Sequence, residues 1–254
     1  ENVYNQEPLS YDEIMEWCRS QAEFFKDYIC DVGTLLGAAA GQGKNILFEA
    51  QLGALRDIDY GIYPFTSSSN TIASYAPIGA GIPGCALDNV VGVMKAYSTC
   101  VGEGPFVAET AMGEAWNEKL RESGGEFGAA TGRPRRVGPF DAVASRYGIR
   151  CQKAQDIALT KLDVLGAFDK IPVITGYRLH GVLLDSFPTD SRLEEAEPVI
   201  EELPGWGCDI SGCRSWKDLP ENARKYVCTL EKLVDHPIYL VSTGAERDAY
   251  LLRE

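Results

Sequence analysis

Short apolar segments alternate with amphipathic segments of helical spacing along most of the chain, and this alternation restricts its fold more than any other feature. Residues 156–159 and 172–179 are apolar runs of the kind that forms buried strands. Helical spacing precedes the first run and returns over 218–234. Such an alternation predicts an α/β or α+β protein, in which helices cover a sheet.

The same patterns predict where the individual elements lie. A capping pattern, Ser10-Tyr-Asp-Glu13, opens a long helix broken near 31–33, and a short second helix ends at Gly41-Gln-Gly43. Further helices are predicted over 85–97 and 112–121, from about 141, and over 218–234. Strands are predicted at 45–49, 156–159, 172–179, 198–203 and 237–241. Between these elements, the glycine-rich segments 50–84 and 124–138 are predicted to be loops that carry function.

Composition and residue usage exclude several kinds of protein. The 24 Lys and Arg against 37 Asp and Glu give a net charge of −13, which argues against a nucleic-acid partner because phosphate binding needs a basic face. No run approaches the roughly 18 apolar residues of a membrane span, so no membrane partner is expected. The eight cysteines form no Cys-x-x-Cys pair, which argues against a zinc site. The absence of a signal peptide favours a reducing compartment, the cytoplasm.

The first candidate site is Thr160-Lys161-Leu162-Asp163, which follows the predicted strand 156–159 directly. A carboxylate at such a strand end can accept the N1–H and the exocyclic amine of guanine, and a lysine stem can lie along the face of the base. Adenine offers no such pair of donors. The alternative is a solvated turn at a strand end.

The second candidate is the loop Gly128-Ala-Ala-Thr131-Gly132-Arg133-Pro134-Arg135-Arg136. Its glycines and threonine offer backbone N–H groups and a hydroxyl, and its three arginines offer planar cationic forks for carboxylates or phosphates. In a strongly acidic chain, this local positive charge suits a small anion better than a polymer. The alternative is a solvated basic loop.

The segment Arg56 to Thr71 is a third candidate, because it contains paired carboxylates and a run of hydroxyl and amide residues. Asp57 and Asp59 could serve acid–base work or a metal, or they could cap the turns of their own loop. The two histidines are weaker candidates, since His180 lies at a predicted hairpin tip and His236 in a turn before a strand.

Together and in this order, the motifs resemble the adenylosuccinate synthetase family from about residue 30 to the end of the chain. The segments that carry the resemblance are Leu47-Phe-Glu49, Asp57-Ile-Asp-Tyr-Gly61, Tyr63-Pro-Phe65, Ser68-Ser-Asn70, Lys95-Ala-Tyr-Ser-Thr99, Val101-Gly-Glu-Gly-Pro-Phe106, Gly125-Glu-Phe-Gly128, Thr131-Gly-Arg-Pro-Arg-Arg136, Phe140-Asp-Ala-Val143, Leu159-Thr-Lys-Leu-Asp-Val-Leu165, Glu202-Leu-Pro-Gly-Trp206 and Ser242-Thr-Gly244.

The resemblance implies a GTP- and magnesium-dependent ligase, in which IMP is phosphorylated at O6 and aspartate then displaces the phosphate to give adenylosuccinate. By position, the residues implied to bind IMP are Gln51, Ser67 and Arg133. Those implied to bind L-aspartate are Ala129, Ala130, Thr131, Gly132, Arg133 and Arg135. Those implied to bind GTP are Arg135, Lys161, Leu162, Asp163, Ser242, Thr243 and Gly244. The complete enzyme is implied to be a homodimer.

The sequence also departs from the family. The family's N-terminal phosphate loop, its catalytic Asp and His, and an arginine that reaches IMP from a partner subunit have no counterpart here. Leu52 holds the position of an IMP-binding amide unless Gln51 shifts into it, while Ala130 replaces a Thr and Cys100 an Arg. We therefore assign no catalytic or metal-ligating residue, expect Mg²⁺ to bind mainly elsewhere, and expect these residues alone to be inactive. A non-catalytic nucleotide-binding or scaffold module is the alternative.

The fold implied by the resemblance has three parts. Residues 1–44 are expected to be the end of a helical subdomain. Residues 45–97 are expected to form part of a central sheet like that of P-loop NTPases, with an IMP-binding loop. Residues 98–254 are expected to form an α+β C-terminal lobe that carries the aspartate loop and the guanine site.

Overall fold

The computed structural model of the chain describes residues 5–184 and 186–253. These residues divide into two compact units. The first contains the residues up to Phe48 together with Ala76–Ala86, and the second contains Glu49–Tyr75 and the residues from Leu87 onward.

The first unit is helical. It contains α1 (Tyr11–Phe25), a 3-10 turn, α2 (Val32–Gly41) and the short α3 (Ala76–Gly79). Asp31 caps α2 by accepting a hydrogen bond of 2.9 Å from the backbone N–H of Thr34, and the predicted stop at Gly41 is confirmed. Ser10 stands at the start of α1, but its side chain makes no capping hydrogen bond, so the predicted capping pattern is wrong in that detail.

The predicted strand at 45–49 is wrong. The residues between α2 and the 3-10 turn Ala54–Arg56 form no helix or strand, and Leu47 is 92% exposed. A short apolar run becomes a strand only where a neighbouring edge can take its backbone hydrogen bonds. Within the described ranges, no strand pairs with these residues.

The second unit contains all the strands of the described chain. Its strands are β1 (Val91–Lys95), β2 (Ser98–Cys100), β3 (Arg136–Gly138), β4 (Phe140–Asp141), β5 (Asp156–Thr160), β6 (Lys170–Leu179), β7 (Val182–Leu183), β8 (Glu197–Pro204), β9 (Leu240–Ser242) and β10 (Tyr250–Leu252). Its helices are α4 (Val107–Thr110), α5 (Glu114–Gly124), α6 (Ala142–Gln152) and α7 (Glu221–Val234). Alternating helices and strands of mixed direction confirm the α/β class.

Three sheets organise this unit. The first has the order β1-β5-β9-β10, in which β1, β5 and β9 are parallel and β10 is antiparallel. A second sheet pairs β2 with β3, and a third joins β4, β6, β7 and β8. The inner strand β5 contributes Ile157 and Leu159 to the largest hydrophobic core. Helix α7 packs one apolar face into the same core, and the Tyr226 hydroxyl donates to the Ala96 carbonyl at 2.6 Å.

The predicted helix at 85–97 is wrong, because β1 occupies its second half. The apolar residues there satisfy a helical period, but Val90, Val91 and Val93 also favour a strand. Parallel pairing with β5, from Val91 opposite Asp156 to Lys95 opposite Thr160, decides between the two. The other predicted elements of this unit are present with shifted ends. Strands β2, β3, β4, β7 and β10 and helix α4 are additional, and β3 lies at the end of the predicted loop 124–138.

Candidate functional site

Three parallel strands bring the polar residues that follow them to one edge of the first sheet. Lys95 at the end of β1 lies opposite Thr160 at the end of β5, and β9 ends beside them at Ser242. The carboxyl ends of parallel strands are where α/β proteins bind ligands, because the connecting loops leave a crevice there. The residues after these strands are therefore the first place to look for a site.

The turn after β5 is held by a hydrogen bond at Thr160, before Lys161, and by a buried side chain at Leu162, after it. The Thr160 hydroxyl donates to the Met94 carbonyl at 3.1 Å, and Leu162 is fully buried. Between them, Lys161 adopts a left-handed backbone conformation with φ of 61°, which is uncommon outside glycine. Its ammonium donates to the carbonyl of Gly124, the last residue of α5, at 2.6 Å. Lys161 is thus held in one orientation beside the end of α5.

Asp163 is the half-buried carboxylate of the same turn. It opens a 3-10 helix, Asp163–Ala167, which no side chain caps. Burial raises the pKa of Asp163. Backbone N–H groups of Asp163 and Val164 and the charge of Lys161 offset this only in part, while the charge of Asp209 raises it further. A partly desolvated carboxylate of this kind suits a ligand that brings its own N–H donors.

An open depression of about 370 Å³ lies beside Asp163. It is lined by Ser123, Asp163, Val164, Gly166, Ala167, Cys208, Asp209 and Ser211. Ser211 connects it to the segment after β9, because a Cβ on Gly244 would lie 3.7 Å from the Ser211 Cβ. That segment is itself held by hydrogen bonds from the Ser242 hydroxyl to the Gly244 carbonyl and from the buried Thr243 to the Cys213 carbonyl.

A fully buried carboxylate, Glu126, joins the turn after β5 to the glycine-rich loop. One of its oxygens accepts hydrogen bonds from Lys95 at 2.8 Å and from the Tyr97 hydroxyl at 2.6 Å, and Lys161 lies 3.6 Å from the same oxygen. The other accepts from Arg135 at 2.9 Å. Burial alone would raise the pKa of Glu126, but the hydrogen bonds from Lys95 and Tyr97 bring it to about 2. The carboxylate is therefore ionised.

The glycine-rich loop is folded by its own backbone. Phe127 and Pro134 form a bridge, and inside it the Gly128 N–H donates to the Arg133 carbonyl at 2.8 Å. The Gly132 N–H donates to the Gly128 carbonyl at 2.8 Å, and Gly132 has a positive φ of 65°. The exposed residues at its tip are Ala129, Ala130, Thr131, Gly132, Arg133 and Pro134. No hydrogen bond from the Arg133 guanidinium is found within the described residues.

The three arginines at the end of this loop differ in what holds them. Arg135 is tied to Glu126, and Arg136 makes two bonds to one oxygen of Glu109, at 2.6 and 2.8 Å. Arg136 also donates to the carbonyl of Gly104 at 2.8 Å. Of the three, Arg133 is therefore the one whose charged group is directed to solvent.

Two of the three predicted IMP-binding residues, Gln51 and Ser67, lie in a separate loop of the second unit, whereas the third, Arg133, lies in the glycine-rich loop. Gln51 is exposed, and Leu52 beside it has a positive φ of 74°. The Ser67 hydroxyl accepts from the Ser69 N–H at 3.1 Å. Among the described residues, no hydrogen bond joins Gln51 or Ser67 to Glu126 or to the glycine-rich loop.

The paired carboxylates of that loop accept hydrogen bonds from the loop itself, Asp57 from its backbone and Asp59 from one of its side chains. Asp57 is fully buried and accepts from the backbone N–H groups of Asp59 and Tyr60, both at 2.9 Å, and from that of Thr71. Asp59 accepts from the Asn70 amide at 2.8 Å. Burial would raise the pKa of Asp57, but these hydrogen bonds lower it below the usual value. Of the two alternatives left open for this pair, the structure supports the capping role.

Within the described ranges, no group of three or more His, Cys, Asp or Glu is arranged to hold a metal ion. All eight cysteines are free.

The two histidines lie outside the candidate site. Both ring nitrogens of His236 are 3.0 Å from backbone carbonyls, those of Pro237 and Ala154, and His180 is exposed at the turn between β6 and β7. None of the helices described is both long and apolar enough to span a membrane.

The fold and this site define a mixed α/β protein whose polar residues gather at the carboxyl ends of parallel strands. Comparison with known proteins identifies the class further. A family model described as adenylosuccinate synthetase matches residues 1–251. The chain belongs to the adenylosuccinate synthetase family.

Individual relatives agree with this assignment. The adenylosuccinate synthetase of Trichlorobacter lovleyi is 48% identical over 97% of the chain, and that of Pelotomaculum thermopropionicum is 45% identical over 98%. The structure of the fully ligated enzyme of Plasmodium falciparum superposes with a TM-score of 0.92 at 34% identity over the whole chain. The chain spans 57%, 58% and 60% of the lengths of these three proteins.

Proposed function

We propose that these residues supply the guanine-binding and aspartate-binding parts of a GTP-dependent ligase that joins IMP and L-aspartate. The products are adenylosuccinate, GDP and phosphate. The observation that carries the proposal is the gathering of Lys161, Asp163 and Ser242–Gly244 at one sheet edge, with Arg135 attached through Glu126. Family membership supports the same reaction.

The proposed roles follow from the chemistry of each group. The Asp163 carboxylate accepts the N1–H and 2-amino protons of guanine, Lys161 lies along the base, and Arg135 pairs with GTP. Thr131 and Arg133, on the exposed tip of the glycine-rich loop, bind the carboxylates of aspartate. The aspartate amine then attacks C6 of the O6-phosphorylated IMP, and the C6–O6 bond breaks so that O6 leaves as part of the phosphate. Gln51, Ser67 and Arg133 bind this nucleotide.

These 254 residues are proposed to bind without turnover on their own. Phosphoryl transfer depends on cationic groups around the γ-phosphate, including Mg²⁺, which neutralises the transferring charge. No metal-binding cluster exists within the described residues. The complete enzyme is proposed to be a cytoplasmic homodimer that binds Mg²⁺ mainly through residues outside this segment. The rival proposal, a nucleotide-binding module without ligase function, is favoured only by the partial coverage of the relatives.

An assay of adenylosuccinate formation tests this proposal. The chain is supplied with IMP, GTP and aspartate, first alone and then fused to the part of a relative that it does not cover. We expect product from the folded fusion and none from the chain alone. A folded fusion that binds GTP yet forms no product contradicts the ligase proposal and supports the binding module, whereas turnover by the chain alone contradicts the proposed division of labour.

A further inference from the structure

We propose that Glu126 is a positioning residue that holds Arg135 and Lys161 as one unit for nucleotide binding. The proposal rests on the proposed function, since that function assigns both cations to GTP. It adds a third residue, which contacts neither base nor phosphate and acts through the two cations. None of the candidate motifs in the sequence pointed to this role.

The position of Glu126 explains why it can reach both cations. Helix α5 ends at Gly124, and Gly125 follows with a left-handed φ of 59°, which turns the chain so that Glu126 enters the interior. The Arg135 N–H donates to the Glu126 carbonyl at 2.9 Å, so the two residues run side by side where the glycine-rich loop closes. Lys161 donates to the Gly124 carbonyl at 2.6 Å and so arrives at the same corner.

Hydrogen bonds fix the carboxylate itself. Lys95 at 2.8 Å and the Tyr97 hydroxyl at 2.6 Å hold one oxygen from the end of β1. Arg135 is held by the other oxygen at 2.9 Å, and Lys161 lies 3.6 Å from the first. A fully buried carboxylate with several donors cannot rotate freely, so it holds the Arg135 guanidinium and the Lys161 ammonium in fixed positions.

Charge alone predicts the opposite effect of removing this carboxylate. Three cationic side chains, Lys95, Arg135 and Lys161, surround one carboxylate, which leaves an excess of two positive charges at this corner. Neutralising Glu126 raises that excess, and attraction of an anionic nucleotide should then increase. Positioning predicts weaker binding instead, because two released cations must be ordered again for each nucleotide bound. The sign of the change therefore separates the two explanations.

The experiment compares the affinity for GDP of the parent chain, Glu126→Gln and Glu122→Gln by calorimetry. Glu122 is exposed on α5 and loses the same charge in its variant. We expect Glu126→Gln to bind GDP at least about tenfold more weakly, and Glu122→Gln to stay within about twofold of the parent. Unchanged or tighter binding by a folded Glu126→Gln protein overturns the proposal.

A double-mutant cycle distinguishes positioning from general damage to the fold. If Glu126 acts through the two cations, Glu126→Gln should change the affinity by less than about twofold in a background that already carries Arg135→Met and Lys161→Met. A full effect in that background overturns the proposal. Should Glu126→Gln fail to fold, Tyr97→Phe replaces it, because it removes one hydrogen bond to Glu126 and keeps the ring. It should weaken GDP binding about threefold.

A nucleotide-free measurement keeps this proposal separate from the proposed function. Side-chain ¹⁵N NMR of the Lys161 ammonium and the Arg135 guanidinium reports their order directly. Both should be ordered in the parent and mobile in Glu126→Gln, or in Tyr97→Phe if Glu126→Gln fails to fold. If the Lys161 ammonium and the Arg135 guanidinium stay ordered in whichever of these two variants folds, the positioning role is overturned, even if the parent binds no GDP. A parent with ordered cations but no GDP binding contradicts the proposed function alone.

Discussion

Three carboxylates of the second unit, Asp57, Glu126 and Asp163, differ in whether burial or hydrogen bonding dominates the pKa. Asp57 is surrounded by backbone N–H groups, and Glu126 by Lys95, Tyr97 and Arg135. In both, hydrogen bonds hold the pKa below the usual value. Asp163 has a raised pKa because burial outweighs its hydrogen bonds. Of these carboxylates, Asp163 therefore gains most from a ligand that donates protons to it.

Replacing Asp163 by Asn should change base preference rather than stability. The amide still accepts the N1–H of a purine but meets the 2-amino group of guanine with a donor, whereas the C2 carbonyl of xanthine can accept from it. Asp163→Asn should therefore weaken GDP binding about tenfold or more and strengthen binding of xanthosine diphosphate. Calorimetric titration with both nucleotides measures this, and Asp169→Asn, on an exposed residue, is the matched control. An unchanged ratio with a lowered melting temperature would indicate a capping role.

The arginines of the glycine-rich loop should respond differently to loss of the guanidinium fork. Arg133→Lys should leave the melting temperature unchanged, because the structure gives that guanidinium no hydrogen bond within the described residues. Arg136→Lys should lower stability by about 1–2 kcal/mol, because it loses the two-pronged pairing with Glu109 and the bond to Gly104. Thermal unfolding of both variants checks this. If Arg133→Lys lowered stability as much as Arg136→Lys does, the assignment of Arg133 to ligand binding would be contradicted.

Among the secondary-structure elements, α6 depends most on a buried charge. Its N-cap, Asp141, is 4% exposed and accepts from the N–H groups of Val143 and Ala144, both at 3.0 Å. The Tyr177 hydroxyl of β6 also donates to it. Burial nevertheless raises the pKa of Asp141 to about 6. Through Tyr177, Asp141 thus connects the start of α6 to the third sheet. Because burial raises its pKa, the carboxyl ionises at a higher pH than an exposed Asp does.

This carboxyl should make stability fall as pH rises. The folded pKa of about 6 lies above the unfolded value of 3.8, so between these values the folded protein keeps a proton that the unfolded chain has lost. Protonated Asp141 contributes up to about 3 kcal/mol to the free energy of unfolding. The contribution is complete below about pH 4 and is lost by about pH 7. Denaturant unfolding of the parent and Asp141→Asn at several pH values measures it. The difference between the two should change over this range, and a constant difference would contradict the raised pKa.

Elements with long, regular patterns were predictable from the sequence, whereas elements fixed by pairing were not. Helices α6 and α7 and strand β5 follow their apolar periods closely. The apolar spacing of strand β1 fits both a helical and a strand period, and only the pairing with β5 decides between them.

The turn after β5 was identifiable because its motif is local in sequence. Glu126 was not, because its partners Lys95 and Tyr97 are 31 and 29 residues away and meet it only in the folded chain. Glu126 belongs to the motif Gly125-Glu-Phe-Gly128, which carries part of the family resemblance but does not indicate this role.

For the molecule as a whole, a net charge of −13 contrasts with the cationic corner around Glu126. The acidic surface disfavours polyanions, while the corner offers excess positive charge to one small anion. The chain matches 57–60% of the length of its relatives, yet the guanine-binding elements proposed here all lie within its second unit. Selective guanine binding should therefore be detectable in the chain itself.

Calorimetric titration of the parent chain with GDP and with ADP tests this claim most directly. Adenine has an acceptor at N1 and no 2-amino group, so it would leave the half-buried Asp163 carboxylate without its donors. An unpaired group of this kind costs about 1–3 kcal/mol, or roughly one to two powers of ten in affinity. We predict that GDP binds at least about tenfold more tightly than ADP. Equal affinities, or tighter binding of ADP, would contradict a guanine site at the carboxyl ends of β1, β5 and β9.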